Sequence, residues 1–289
     1  MDIRRTLQRS LPAVALAAVL AWTGPARAED AKKTYEVDVT TDVKYYDGQD
    51  ADPIKHKLDL YLPKGKKDFP VLFFVHGGAW MMGDKNTFGV YSALARGFAK
   101  QGIGTVVTNY RLTPTVMHPG HIQDVAKAFA WTEKNIAKYG GRADCIFACG
   151  HSAGGHLVAL LATDESYLKA EGLTPKAIKG VVPMSGVYDI SPKLVPAVFG
   201  NDPKVCKQAS PISHVKAGLP PFLVIYADND MPNFDKMAET FCKALKDKDC
   251  TATACEVKRR NHVSLILLTA GDTDPAGEAI RKFIAENGK

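Results

Sequence analysis

Apolar runs and amphipathic runs alternate along most of the chain. The apolar runs are short, as buried strands are, whereas the runs between them repeat their apolar positions at helical spacing. This alternation predicts βαβ units and a mostly parallel, doubly wound sheet with helices on both faces. The predicted strands are 37–45, 56–62, 71–75, 103–108, 145–149, 178–184, 222–226 and 252–257, and the predicted helices are 91–100, 122–139, 156–163, 235–245 and 276–285.

The first two strands are joined differently from the rest. A turn-rich segment at 47–53 links them, with no helical pattern between, so we expect an antiparallel start to the sheet. In doubly wound sheets the chemistry lies at the carboxyl ends of the strands. The residues that directly follow each predicted strand are therefore the candidates for function.

Residues 1–28 have the pattern of a secretory signal peptide. Arg4 and Arg5 open a basic head, 11–22 is an uncharged apolar run, and small residues precede a cleavage point after Ala28. The apolar run is too short for a membrane span, which needs about twenty residues. We expect a periplasmic or secreted protein, exported by the Sec route with a twin-arginine route left open, and one folded domain over 29–289.

The composition is that of a globular protein. Of 289 residues 46% are hydrophobic and 24% are charged, which excludes a disordered chain and a multi-span membrane protein. The predicted export segment carries four arginines and one aspartate, so the net charge falls from +6 to +3 without it. We therefore expect no nucleic-acid partner and no integral membrane span, and we interpret the basic cluster 258–260 as a solvated loop.

The six cysteines allow disulfides in an oxidising compartment. Cys145 and Cys149 lie on one predicted strand about 13 Å apart, so they cannot bridge each other and are expected to be inert core. We expect one disulfide among Cys242, Cys250 and Cys255, and the pairing among these three and Cys206 stays open. There is no CxxC pair and no interleaved histidine, so no metal and no cofactor are expected.

A G-x-S-x-G pattern follows the strand at 145–149. Residues 150–155 read GHSAGG and open a helix, and this context is typical of a sharp turn that lifts a serine hydroxyl clear of the backbone. Ser152 is therefore the candidate nucleophile. An ordinary glycine-rich turn is the alternative.

A serine needs a base, and the base needs an acid that fixes its tautomer. His262 follows the strand at 252–257 and is the expected base, with His214 as the alternative. For the acid, Asp230 lies at the apex of the loop after the strand at 222–226. Asp228 is closer to the strand and is expected to cap or orient the turn, and Asp189 is a third candidate.

Acyl transfer also needs donors for the oxyanion of the tetrahedral intermediate. The strand at 71–75 ends in HGGAW at 76–80, whose backbone amides can supply them. The amides of Gly78 and Ala79 are the expected pair, and Ala153, directly after the candidate nucleophile, supplies a third.

With these residues the chain resembles the α/β-hydrolase superfamily. It is most similar to small esterases related to the hormone-sensitive lipase, kynurenine formamidase and feruloyl-esterase branches. Ala79 departs from the HGGG form, and Asn109 stands where relatives often have Asp. The resemblance implies structural roles for Tyr110 and Arg111. The resemblance covers residues 58–262, and the motifs that carry it are HGGAW at 76–80, GDK at 83–85, NYRL at 109–112, GHSAGG at 150–155, GVYD at 186–189, ASPI at 209–212, and the regions of Asp230 and His262.

The resemblance implies an exported serine hydrolase that cleaves small or aromatic acyl esters. Segment 189–216 is the only insertion long enough to cap a pocket, and at about 28 residues it predicts an open pocket suited to soluble esters rather than interfacial lipid. An amidase acting on an aryl formamide or small peptide is the alternative activity. A binding protein that retains the fold without catalysis is the alternative from another class. The oligomeric state stays open.

Overall fold

The computed structural model describes residues 34–289, and the predicted export segment 1–28 lies outside the described residues. One eight-stranded sheet runs through the described part of the chain. Its strands are β1 (Val37–Lys44), β2 (Lys57–Pro63), β3 (Phe69–Val75), β4 (Gly104–Thr108), β5 (Gly141–His151), β6 (Ile178–Met184), β7 (Phe222–Asn229) and β8 (Ala252–Asn261).

The strand order is β1-β2-β4-β3-β5-β6-β7-β8. β1 pairs antiparallel with β2 and β2 with β4, whereas every pairing from β4 to β8 is parallel. The predicted α/β fold, with its mostly parallel sheet and antiparallel start, is confirmed. β4 lies on one side of β3, and β5 lies on the other side with β6, β7 and β8 beyond it. The strand order therefore reverses between β3 and β5, and the carboxyl ends of these two strands flank that point. A crevice forms at such a point in open α/β sheets.

Helices cover both faces of the sheet, because side chains of a buried strand alternate between them. On β3, Val71, Phe73 and Val75 enter one core cluster and Leu72 and Phe74 the other. The helices are α1 (Val90–Lys100), α2 (Gly120–Asn135), α3 (Ala153–Thr163), α4 (Glu165–Ala170), α5 (Pro196–Phe199), α6 (Pro203–Ala209), α7 (Phe234–Lys246), α8 (His262–Leu268) and α9 (Pro275–Asn287). In residues 34–289 no helix is both long and apolar enough to cross a bilayer.

The region after β8 differs from its predicted form. β8 continues to Asn261, and His262 is the first residue of helix α8 rather than part of a loop. Asn261 caps this helix: its side-chain oxygen accepts from the amides of Val263 and Ser264, at 3.1 and 2.8 Å. The Ser264 hydroxyl in turn accepts from the Asn261 amide at 2.8 Å, which completes a capping box. The cap fixes the backbone next to His262.

The expected disulfide among Cys242, Cys250 and Cys255 is wrong for this structure, in which all six cysteines are free. Cys255 packs against the core cluster on one face of the sheet, while Cys242 and Cys250 belong to the cluster on the opposite face. Cys250 instead donates its thiol hydrogen to the carbonyl of Lys216, with 3.1 Å between sulfur and oxygen. Spacing along the chain did not reveal that the sheet separates Cys255 from the other two thiols.

Candidate active site

Ser152 lies at the turn between β5 and α3. Its backbone has φ 56° and ψ −118°, a left-handed conformation that a residue with a Cβ rarely adopts. The Ser152 amide donates to the Met184 carbonyl at 2.9 Å, and the Ser152 carbonyl accepts from the His156 amide at 3.0 Å. These two hydrogen bonds hold the strained backbone of Ser152 between the end of β6 and the first turn of α3. Backbone strain of this kind is most common at functional sites. The half-buried Ser152 lines a cavity.

The turn after β3 approaches Ser152 closely. A Cβ on Gly77 would lie 3.0 Å from the His151 carbonyl oxygen and 3.2 Å from the Ser152 Cβ, so a side chain there would push the two segments apart. Gly78 has φ 123°, and a Cβ on it would clash with the Met82 carbonyl oxygen. Glycine is required at both positions, one for proximity and one for backbone conformation.

The same turn presents free amides. The Gly77 amide is bonded to the Tyr91 hydroxyl at 3.1 Å. Among residues 34–289, the amides of Gly78, Ala79 and Ala153 have no hydrogen-bond acceptor within the protein. Gly78 and Ala79 line the same cavity as Ser152. The expected oxyanion donors are therefore close to the candidate nucleophile.

Asp230 and His262 are directly bonded. His262 Nδ1 donates to Asp230 Oδ1 at 2.7 Å, and the Asp230 side chain is only 1% exposed. The amides of Met231 and Ala227 and the hydroxyl of Ser185 also donate to this carboxylate, at 2.8, 3.2 and 2.5 Å. Burial raises the pKa of Asp230, but these donors outweigh burial and hold that pKa below its usual value. The carboxylate thus stays ionised beside the ring.

His151 covers the other side of the His262 ring. The two ring centres are 4.7 Å apart, and His151 Nε2 donates to the His262 carbonyl at 2.9 Å. Burial lowers the pKa of His151 to about 3, so this ring is neutral at physiological pH. Phe234 contacts the His262 ring edge-on, with 5.2 Å between centroids. His151 and Ser185 were not predicted from the sequence. His151 directly precedes Ser152, and Ser185 directly follows the predicted strand at 178–184.

The structure places the alternative acids and base elsewhere. Both oxygens of Asp228 accept backbone amides, from Arg259 at 2.9 Å and Arg260 at 3.0 Å, so this carboxylate ties the end of β7 to β8. Asp189 is exposed and lies 3.5 Å from the Ser210 hydroxyl. His214 Nε2 donates to the Gln208 carbonyl at 2.8 Å. Of the candidate carboxylates, only Asp230 contacts His262.

Ser152 and His262 line one cavity of about 500 Å³. Apolar side chains of the turn after β3, of α1 and of α8 form most of its wall, and several at its mouth are exposed. Phe88 is the extreme case, with 99% of its surface exposed. No residue of 189–216 lines this cavity: Phe199 instead packs edge-on against Trp80, 4.9 Å between centroids. Within residues 34–289 no group of three His, Cys, Asp or Glu side chains is placed to hold a metal ion.

A buried polar framework stands behind the turn after β3. The Tyr110 hydroxyl donates to the His76 carbonyl at 3.2 Å, and the two rings stack at 4.5 Å. Lys85, 2% exposed, pairs with Asp59 at 2.9 Å, and its amide donates to Asn109 Oδ1 at 2.6 Å. These contacts fix both ends of the segment that carries Gly78 and Ala79.

Comparison with known proteins gives a family. The BD-FAE family model matches residues 58–244. Esterase LipC of Mycobacterium tuberculosis (strain ATCC 25618 / H37Rv) is 34% identical over an alignment of 250 residues, and the match covers 78% of this chain and 61% of that protein. Kynurenine formamidase of Danio rerio is 30% identical over an alignment of 222 residues, and the match covers 73% of this chain and 71% of that protein. The chain spans about half the length of the mycobacterial relatives, between 41% and 61%.

Solved structures share the fold. A truncated form of a carbohydrate esterase from gut microbiota matches with a TM-score of 0.74 at 23% identity, covering 89% of this chain and 98% of that one. Esterase B from Lactobacillus rhamnosis (HN001) matches with a TM-score of 0.74 at 23% identity, covering 87% and 86%. The strand order, the turns after β3 and β5, and the family match over residues 58–244 agree, and the chain belongs to the BD-FAE family of the α/β-hydrolase superfamily.

Proposed function

We propose that this protein is a serine carboxylesterase. Ser152 Oγ attacks the ester carbonyl while His262 Nε2 takes its proton, and Asp230 holds His262 in the tautomer that leaves Nε2 free. The amides of Gly78, Ala79 and Ala153 stabilise the oxyanion. The departing alcohol takes the proton from His262, and a water molecule, activated in the same way, then releases the acid and regenerates Ser152.

One observation carries this proposal. The His262 ring lies between the cavity of Ser152 and the buried Asp230 carboxylate, and its Nδ1 is 2.7 Å from Asp230 Oδ1. That bond leaves Nε2 as the nitrogen available for a serine proton. The strained backbone of Ser152, with φ 56°, supports the same assignment, because strain of this kind concentrates at functional sites.

The cavity supports esters with a small or aromatic acyl group. Its volume of about 500 Å³ falls within the range of roughly 300–1,000 Å³ typical of small-molecule sites. Tyr91, Ile266 and Leu267 contribute apolar wall, and within residues 34–289 no Asp, Glu, Lys or Arg side chain lines this cavity. The names of the relatives, esterase LipC and esterase B among them, agree with this chemistry.

Replacing Ser152 tests the proposal. In Ser152→Ala, we expect kcat for p-nitrophenyl acetate to fall about 10⁴-fold or more. Labelling by a fluorophosphonate probe should be lost as well. Ser213→Ala, an exposed serine outside the cavity, is the matched control and should keep both. Full activity of Ser152→Ala would overturn the mechanism, and a folded wild type that neither hydrolyses esters nor takes the probe would indicate a binding protein.

Amide hydrolysis is a second candidate, favoured by the 30% identity with kynurenine formamidase. The same residues can cleave an amide if His262 protonates the departing nitrogen. The ratio of kcat/KM for an aryl formamide to that for the matching aryl formate decides between the two. A ratio well below one assigns the protein to esters, and a ratio near or above one assigns it to amides.

We also propose that residues 1–28 direct export. The basic head and the apolar run support this placement. The mass of the protein recovered from an exporting host tests it, because cleavage after Ala28 leaves Glu29 as the first residue. An uncleaved chain retained in the cytoplasm would contradict the proposal.

A further inference from the structure

The end of β6 carries no member of the proposed triad, yet it contacts two of them. The Met184 carbonyl accepts the amide of Ser152 at 2.9 Å, and the next residue, Ser185, donates its hydroxyl to Asp230 Oδ2 at 2.5 Å. β6 lies between β5 and β7, whose ends hold Ser152 and Asp230. The first turn after β6 therefore spans the gap between the proposed nucleophile and the proposed acid.

The Ser185 hydroxyl differs from the other donors to Asp230. The amides of Met231 and Ala227 lie within three residues of Asp230 in sequence, on either side of it, whereas Ser185 reaches it from the turn after β6, 45 residues away in sequence. Since an ionised carboxylate only accepts, the hydroxyl must be the donor. The bond holds Oδ2 against β6 and leaves Oδ1 toward His262.

The backbone of Ser185 is costly to maintain. Its φ is 44°, in the left-handed region, and the residue is 1% exposed, with its amide bonded to the Ile225 carbonyl at 2.8 Å. Glycine would adopt this conformation more cheaply, but it would leave Asp230 without its only side-chain donor from β6. The hydroxyl group of Ser185, and not its backbone conformation, therefore explains a serine at this position.

We propose that Ser185 is a positioning residue for the reaction: its hydroxyl fixes the Asp230 carboxylate so that Oδ1 meets His262 Nδ1. The inference rests on the proposed function, because Ser185 acts only through Asp230. Three other titratable side chains face Asp230, namely His262, His151 and Tyr188. None of these three bonds to Oδ2, so none can replace the hydroxyl.

Ser185→Gly is the decisive variant, because it removes the hydroxyl and at the same time relieves the backbone strain. We expect its thermal midpoint to be unchanged or raised. Its kcat for p-nitrophenyl acetate should fall about 5- to 30-fold at a constant KM, because one buried hydrogen bond to a charged group is lost. The acid limb of its kcat/KM profile should move to higher pH, because Asp230 loses a donor that favours its ionised form. Ser185→Cys, with a weaker donor, should fall between Ser185→Gly and the wild type.

Ser210→Ala is the matched control. Ser210 is also fully buried, and its hydroxyl donates to the Cys206 carbonyl at 2.7 Å, away from the cavity. This variant should lose stability but keep the wild-type kcat and pH profile. If Ser185→Gly keeps the wild-type kcat and acid limb while Ser152→Ala is inactive, the positioning role is wrong and the proposed function stands. If the wild type itself neither hydrolyses esters nor reacts with a fluorophosphonate, the proposed function fails first.

Discussion

The turn after β3 separates two regions of opposite character. Behind it, Lys85 and Asp59 form an ion pair with almost no exposed surface. In front of it, Phe88 and Val263 stand at the mouth of the cavity with 99% and 58% of their surface exposed. Charges are buried behind the turn, and apolar side chains are exposed at the cavity that we propose as the substrate site.

The contrast follows from what each region has to do. Hydrogen bonds and ion pairs are directional, so those behind the turn can hold the unusual backbone of Gly78 and Ala79, whose φ values are 123° and 50°. Apolar contact is not directional, so the mouth can accept ligands of different shapes. Substitutions behind the turn should therefore change stability, and substitutions at the mouth should change substrate preference.

The largest effect is expected for Asp59→Ala. This change leaves Lys85 buried with only Asp42, 3.0 Å away and mostly exposed, as an acidic partner. Breaking a buried pair in this way costs about 3–5 kcal/mol, which denaturant unfolding should measure. The exposed pair Lys64–Glu36 provides the control, because Glu36→Ala should leave the unfolding midpoint unchanged. Equal effects of the two substitutions would remove the distinction between buried and exposed charge.

The pH dependence of stability is the next effect. Burial lowers the pKa of His76 to about 4, below the value of about 6.5 for an unfolded histidine, so the unfolded chain binds the proton first. Stability is therefore lost as the pH falls from about 6.5 to about 4, and no further loss from this group occurs below 4. In His76→Phe the slope of unfolding free energy across that window should fall by up to about 1.4 kcal/mol per pH unit. An unchanged slope would show that His76 does not titrate in this way.

The sheet could be predicted from the sequence, and so could the strand ends that carry the candidate residues, for one reason. Buried parallel strands are short apolar runs that alternate with amphipathic helical segments along the chain, and the residues that follow these strands gather at one edge of the sheet. Ser152, Asp230 and His262 were all found as residues that follow strands. Their roles remain predictions, but the structure brings Asp230 and His262 into contact at 2.7 Å.

The same rule would have found Ser185, which directly follows β6. It was not predicted because its proposed role depends on one hydrogen bond, to Asp230, 45 residues away in sequence. No periodic pattern along a chain indicates such a contact. The pair Lys85–Asp59 was missed for the same reason, since a charged residue in a sequence is usually exposed. The beginning of α8 at His262 was missed because β8 runs directly into it.

At the mouth, Phe88→Ser should change selectivity and leave stability within about 0.5 kcal/mol. The ring can cover the outer part of a bulky acyl group but not an acetyl group. We therefore expect kcat/KM for the p-nitrophenyl ester of cinnamate to fall about 5- to 10-fold, equivalent to about 1–1.4 kcal/mol of apolar contact, with the acetate ester unaffected. Equal losses for both esters would mean that Phe88 supports the site rather than the acyl group.

The smallest effect, and the sharpest test of the contrast, is expected for Val263→Thr. This substitution keeps the shape of a half-exposed side chain that lines the cavity and replaces one methyl group by a hydroxyl. If the mouth binds through apolar contact, kcat/KM for the cinnamate ester should fall about twofold, because less than one methyl group of about 0.8 kcal/mol is lost, and the acetate ester should not change. Val263 is adjacent to His262, so a loss shared by both esters would instead indicate a displaced base. A loss of kcat/KM for the cinnamate ester alone would show that polarity at constant volume controls binding at the mouth, unlike the region behind the turn.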